Sequence, residues 1–193
     1  MPFTQLYLAS GSPRRARLLD QLGVEYAVLS IDVDETRASD ETPVQFAERL
    51  ALDKARAGLQ AMPADRPRPV LGADTIVVVD DTVMGKPADC TEAIDMLMTL
   101  SGRYHEVITA VALVGQHEAV VSQSSRVAFR TLTLEECVAY WDTGEPCDKA
   151  GSYAIQGLAA MFISRLEGSY SGVMGLPLYE TAELMRQFGI TIL

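Results

Sequence analysis

Two rhythms of apolar and polar positions alternate along this chain. An apolar run, "LYLA" (6–9), predicts a short buried strand, and "SGSPRR" then leads into "RRARLLDQL", whose leucines recur at helical spacing until Gly23. Ser12 stands where an N-cap would sit and Pro13 suits the first helical position. "YAVLSI" (26–31) predicts a second strand, ending in the acidic stretch "DVDETRASDE". Thr42 and Pro43 open a long helix to about Met62, followed by a proline-rich loop over 62–69. "VLGA" and "TIVVV" are strand-like on either side of Asp74, and Asp80-Asp81 reads as a turn into "TVMG". Asp89 with Glu92, and Thr133 with Glu136, have capping-box spacing ahead of helices to Leu100 and to about Asp142. Between them, 104–130 predicts two long strands joined near Gly115–Glu118. "FISRL" predicts one more strand, and "LPLYETAELMRQFG" a closing helix ended by Gly189. Strands and helices alternate, but hairpins interrupt the alternation, so the expected class is α/β with a mixed sheet.

Composition narrows the function. The chain has 193 residues, 48% of them hydrophobic, enough for one well-buried core in a single domain or two closely packed lobes. No run approaches the length of a membrane helix and nothing at the N-terminus resembles a signal peptide, so a soluble cytoplasmic protein without a membrane partner is expected. Cys90, Cys137 and Cys147 are odd in number and form no C-x-x-C pair, which fits a reducing compartment. A formal net charge of −10 argues against a nucleic-acid polymer as partner. It leaves room for a small phosphorylated ligand, held by locally gathered Arg and Lys or bridged by a divalent cation.

Several residues are candidates for such chemistry. The helix beginning at Pro13 is an ordinary helix start; equally, its free N–H groups with Arg14 and Arg15 beside them make an anion site. Asp74 lies in strand-like sequence, where a carboxylate is costly unless paired; it is either a local hydrogen-bonding residue or a metal ligand or general base. Lys54 shares a helical face with Ala47, Leu50 and Ala51, so it either snorkels to solvent or points inward at a ligand phosphate. Lys86, in "MGKP", reads by itself as a surface lysine at a turn. Asp34 and Glu35 could offer hard oxygens to Mg²⁺, or simply be solvated. Gln156, in the loop "DKAGSYAIQG", both donates and accepts, as reading a nucleobase edge requires. Neither a Walker A nor a G-x-G-x-x-G or G-x-S-x-G motif is present.

Taken together, "LASGSPRR", "GADTIVV", "GKP", "LSGRYHEVITAVAL", "DKAGSYAIQG" and "GSYSGVMGLPL" resemble the Maf family of nucleotide pyrophosphatases, in order and over essentially the whole chain. The resemblance implies one Maf-like domain over 1–193 with a fold related to the inosine-triphosphate pyrophosphatases (Maf/Ham1). That fold is an elongated mixed sheet flanked by helices, two lobes around a central cleft, in a homodimer. It also implies hydrolysis of a nucleoside triphosphate to the monophosphate and pyrophosphate with Mg²⁺ or Mn²⁺. By position, Asp74 matches the catalytic acceptor of the water proton. Ser10, Arg14, Arg15, Lys54 and Lys86 match the polar and basic phosphate-binding residues, and Asp34 or Glu35 joins Asp74 at the metal.

The family divides by base preference. The branch acting on dTTP and UTP carries Arg, Thr and Gln at three positions, which here are Arg14, Thr75 and Gln156. The branch resembling 7-methyl-GTP pyrophosphatase has Trp, Gln and Glu there. An amide can flip to suit either edge pattern, so Gln156 discriminates only where its neighbours fix it. Two alternatives accompany this expectation: a nucleotide-binding regulator of septum formation, and a pyrophosphatase for modified nucleotides.

Overall fold

The computed structural model describes residues 4–62 and 68–192. Most of the proline-rich loop expected over 62–69 lies outside the described residues.

Among the described residues, seven strands and six α-helices follow one another as β1 (Leu6–Leu8), α1 (Pro13–Gln21), β2 (Tyr26–Val28), α2 (Pro43–Ala61), β3 (Val70–Val79), β4 (Thr82–Met84), α3 (Cys90–Leu100), β5 (Tyr104–Val114), β6 (Glu118–Phe129), α4 (Leu134–Trp141), β7 (Ile163–Glu167), α5 (Tyr170–Met174) and α6 (Leu178–Gln187). The strands form one sheet in the order β2-β1-β3-β5-β6-β7, with β4 paired to β3. Pairing is parallel for β1 with β2 and β3, and antiparallel for β3 with β4 and β6 with β7, so the sheet is mixed as expected.

Local sequence explains most of the element boundaries. Thr42 and Thr133 each complete a capping box, with Gln45 and Glu136 as the returning side chains. Asp89 caps α3 through the Glu92 N–H, but the Glu92 carboxylate returns to the Ala88 N–H instead of to Asp89, so only half of that box forms. Ser12 occupies the N-cap position of α1 without a side-chain cap; the Ser12 N–H instead donates to Ser10 Oγ at 3.2 Å. The strand expected over 26–31 ends at Val28. Its partner β1 ends opposite, with Leu8 against Val28, and there the chain turns toward α1. The two halves expected around Asp74 are one continuous strand, β3, with Asp74 in its interior.

The chain falls into two compact units. The first comprises 1–74, 109–123 and 175–193, the second 75–108 and 124–174. In the first unit α2 lies directly on β3. A Cβ on Gly72 would stand 2.2 Å from the Ala51 carbonyl oxygen and 2.6 Å from the Ala55 nitrogen, so only glycine permits this approach. Ala47, Leu50, Ala51 and Ala55 form the buried stripe of α2 above it. In the second unit, Val77, Leu97, Phe129, Tyr140, Tyr153 and Phe162 belong to one continuous apolar core. Phe129 meets Tyr153 edge to face at 4.9 Å between ring centroids, and Tyr140 meets Phe162 at 5.2 Å.

Candidate active site

The close contact at Gly72 places the chemistry of the first unit. Strand alternation puts Asp74 on the same face of β3 as Gly72. Lys54 lies on α2 between the two alanines whose backbone rests on that glycine. Its ammonium accordingly reaches the carboxylate, with Nζ 2.7 Å from Asp74 Oδ1. The same Nζ is 2.6 Å from Glu35 Oε1. Only 10% of the Asp74 side chain and 13% of the Lys54 side chain is exposed, while half of Glu35 remains open. Lys54 therefore does not snorkel to solvent. It points inward, and what it meets are two carboxylates.

Parallel pairing carries the far end of β1 alongside β3 in the register Leu8 against Leu71, so Ser10 and the start of α1 follow toward the middle of β3, where Asp74 lies. Arg15 Nη1 donates to Ser10 Oγ at 3.1 Å, and its Nε donates to the Gly175 carbonyl at 2.8 Å. Burial lowers the Arg15 guanidinium from its ordinary value; the Asp74 charge opposes that shift, Arg14 adds to it and Glu35 opposes it. Ser10, Arg14, Arg15, Glu35, Lys54 and Asp74 thus share one electrostatic neighbourhood. The Asp34 carboxylate accepts from the Thr36 N–H at 2.9 Å, and hydrogen bonding to the Thr36 side chain, then to its backbone, lowers the Asp34 pKa.

A divalent cation fits this donor set. Glu35 and Asp74 each present an oxygen to one shared cationic position, and Mg²⁺ is usually held by one or two carboxylates with water and phosphate completing its shell. Among the described residues no group of three or more His, Cys, Asp or Glu side chains forms a ready-made metal cage.

Thr75, Lys86 and Gln156 belong to the second unit. Thr75 follows Asp74 on β3. The Gly151 N–H donates to the Gly85 carbonyl at 3.0 Å, tying the turn that carries Lys86 to the loop that carries Gln156. Gln156 is exposed, at a turn closed by the Gly157 N–H on the Ala154 carbonyl at 3.0 Å. Sequence reasoning passed over Gly72, although an isolated glycine inside a strand is a signal of close backbone approach. It also passed over Gly175, whose carbonyl holds Arg15.

Over most of its length the chain is similar to known proteins. The Maf-like protein family model matches residues 5–188. A dTTP/UTP pyrophosphatase of Alkalilimnicola ehrlichii is 53% identical over 188 residues, covering 96% of this chain and 93% of that protein. A dTTP/UTP pyrophosphatase of Vibrio cholerae is 49% identical over 191 residues, covering 97% and 100%. The solved structure of the Ham1 protein of Staphylococcus aureus shares 16% identity over 64% of this chain and 71% of its own, at a TM-score of 0.47. With a family match spanning nearly its whole length and relatives of this identity, the chain belongs to the Maf family.

Proposed function

We propose that this protein hydrolyses dTTP and UTP to the nucleoside monophosphate and pyrophosphate. The observation that carries the reading is the buried Asp74 carboxylate in the interior of β3, held by Lys54 beside the point where β1 ends and α1 begins. Lys54 thereby fixes the direction in which the carboxylate faces. Support for the substrate comes from the names of the similar proteins and from Arg14, Thr75 and Gln156 at the three positions of the pyrimidine branch.

In this reading the free backbone N–H groups of Arg14 and Arg15 at the start of α1, with the side chains of Arg14, Lys54 and, by the family resemblance, Lys86, bind the triphosphate. Arg15 holds the Ser10 hydroxyl and the Gly175 carbonyl in place around it. Asp74 orients a water and takes its proton as the oxygen bonds to the α-phosphorus; the bond from that phosphorus to the bridging oxygen breaks, and pyrophosphate leaves. Mg²⁺ or Mn²⁺, held by Asp74 and Glu35, would offset the charge of the triphosphate and of the leaving pyrophosphate. Gln156 reads the base, donating to O4 and accepting from N3–H of thymine or uracil. The unpaired Cys90, Cys137 and Cys147 support a cytoplasmic setting, and the family resemblance supports a homodimer.

Hydrolysis of dTTP in water enriched in heavy oxygen tests the reaction. Equal amounts of dTMP and pyrophosphate, with the label in dTMP, are expected. Release of orthophosphate, or label in pyrophosphate, would overturn attack at the α-phosphorus.

A further inference from the structure

Selectivity by an amide requires that something fix it, and the surroundings of Gln156 are unusually well tied. Residues 152–155 are buried and Gln156 emerges from them exposed. On the entering side, the Ala154 N–H donates to the Tyr140 hydroxyl at 3.2 Å. On the leaving side, the Leu158 N–H donates to Glu145 Oε2 at 3.0 Å, and the Ala159 N–H reaches Oε1 at 3.4 Å. The Tyr140 hydroxyl in turn donates to Glu145 Oε1 at 2.6 Å. A single phenol and a single carboxylate, bonded to each other, therefore grip the backbone on both sides of Gln156.

The grip is rigid at its base. Tyr140 is 2% exposed and packs edge to face on Phe162, so its hydroxyl has little freedom to move. The Glu145 carboxylate lies flat against the turn: a Cβ on Gly157 would stand 2.2 Å from Oε2. Three residues upstream of Gln156, the Tyr153 hydroxyl shares a 2.8 Å hydrogen bond with His105 Nε2. The Gly157-to-Ala154 bond already closes the turn, so an ordinary surface turn would not need these side chains.

We propose that Tyr140 and Glu145 are specificity-positioning residues, which hold the backbone around Gln156 so that its amide meets the base in one orientation. The inference rests on the assignment of Gln156 as the base reader. Neither residue touches the reacting atoms in this account; they act through Gln156. Removing either would let the turn shift, and selectivity would fall more than turnover.

A double-mutant cycle on base selectivity tests it. Tyr140→Phe keeps the ring and deletes the hydroxyl, and kcat/KM for dTTP and for GTP is measured in wild type, Tyr140→Phe, Gln156→Ala and the double variant. The dTTP-over-GTP ratio is expected to fall on the order of tenfold in Tyr140→Phe. It should fall no further when Tyr140→Phe is added to Gln156→Ala. Glu145→Gln, which keeps an acceptor for the Leu158 N–H, enters the same cycle and is expected to give a smaller drop that also vanishes without Gln156. It decides the matter if circular dichroism shows Tyr140→Phe to be unfolded at the assay temperature. Equal losses for both nucleotides, with Gln156→Ala still altering the ratio, would overturn the inference while the reading of Gln156 stands. An equal fall of the ratio in both backgrounds would overturn it as well. An unchanged ratio in Gln156→Ala would remove the base-reader assignment and this inference together.

Discussion

Lys54 Nζ stands 2.7 Å from Asp74 Oδ1, and the pair is nearly closed to solvent. The ammonium also reaches Glu35 at 2.6 Å, so one cation holds two carboxylates together. Removing it leaves the Asp74 charge buried and mutually repelling with Glu35, which costs on the order of 3 kcal/mol. Lys54→Met should accordingly unfold at a lower temperature than wild type. Added Mg²⁺ should raise the Tm of the variant more than that of wild type, because a cation then binds where the ammonium stood. Thermal melts with and without millimolar Mg²⁺ check this; an equal Mg²⁺ effect on both proteins would contradict a shared cation position.

The Lys54–Asp74 contact depends on how closely α2 approaches β3. Gly72→Ala would place a methyl 2.2 Å from the Ala51 carbonyl oxygen, a backbone atom that cannot rotate away. Overpacking of this kind costs about 1–3 kcal/mol, and here the upper end is expected. Activity should fall with stability, since the helix that carries Lys54 is displaced. Denaturant titration and a dTTP assay on Gly72→Ala check both effects, and a variant as stable and active as wild type would contradict the close-packing account.

Asp74→Asn keeps the shape of the side chain and loses its basicity. The loss of a general base typically reduces the rate about 10²–10⁴-fold. The variant should still fold, because an amide oxygen can accept from Lys54. Turnover of dTTP in a protein of wild-type circular dichroism is the measurement, and near wild-type kcat would remove Asp74 from its role.

These features were legible in the sequence to different degrees, for physical reasons. The capping boxes at Thr42 and Thr133, the hairpin at Asp80-Asp81 and the end of α1 at Gly23 are local, and local spacing reveals them. Asp74 stood out because a carboxylate in an apolar strand demands a partner. The identity of that partner did not show, since Lys54 and Glu35 are brought to it by tertiary packing alone. The truncated β2 reflects where its neighbour turns away, which no property of "YAVLSI" encodes. Tyr140 grips the Gln156 turn from α4, while Glu145 and the turn itself lie among short 3-10 turns, where neither the helical nor the strand period applies. Its constituents are visible in the sequence, but only the fold makes them neighbours.

His105 makes the fold sensitive to acid. It is 3% exposed, and burial, with a smaller contribution from the Arg103 charge, lowers its pKa to about 4. In the unfolded chain an imidazole titrates near 6.5. Between those values the unfolded state binds a proton that the folded state does not, so stability falls as pH drops from about 6.5 to about 4 and is unaffected by this group above that window. The shift corresponds to about 3 kcal/mol at its full extent. Wild type should therefore lose more Tm between pH 7 and pH 4.5 than His105→Gln does, and parallel losses would contradict the assignment.

The preference for pyrimidine triphosphates is the claim from which the rest of the account takes its meaning, and kcat/KM across dTTP, UTP, CTP, GTP and 7-methyl-GTP tests it most directly. The protein should favour dTTP and UTP, with CTP weaker and both guanine nucleotides poor. A polar mismatch against the bound base edge sets the gap at roughly ten- to a hundredfold. A preference for 7-methyl-GTP, or equal rates for pyrimidines and purines, would contradict it.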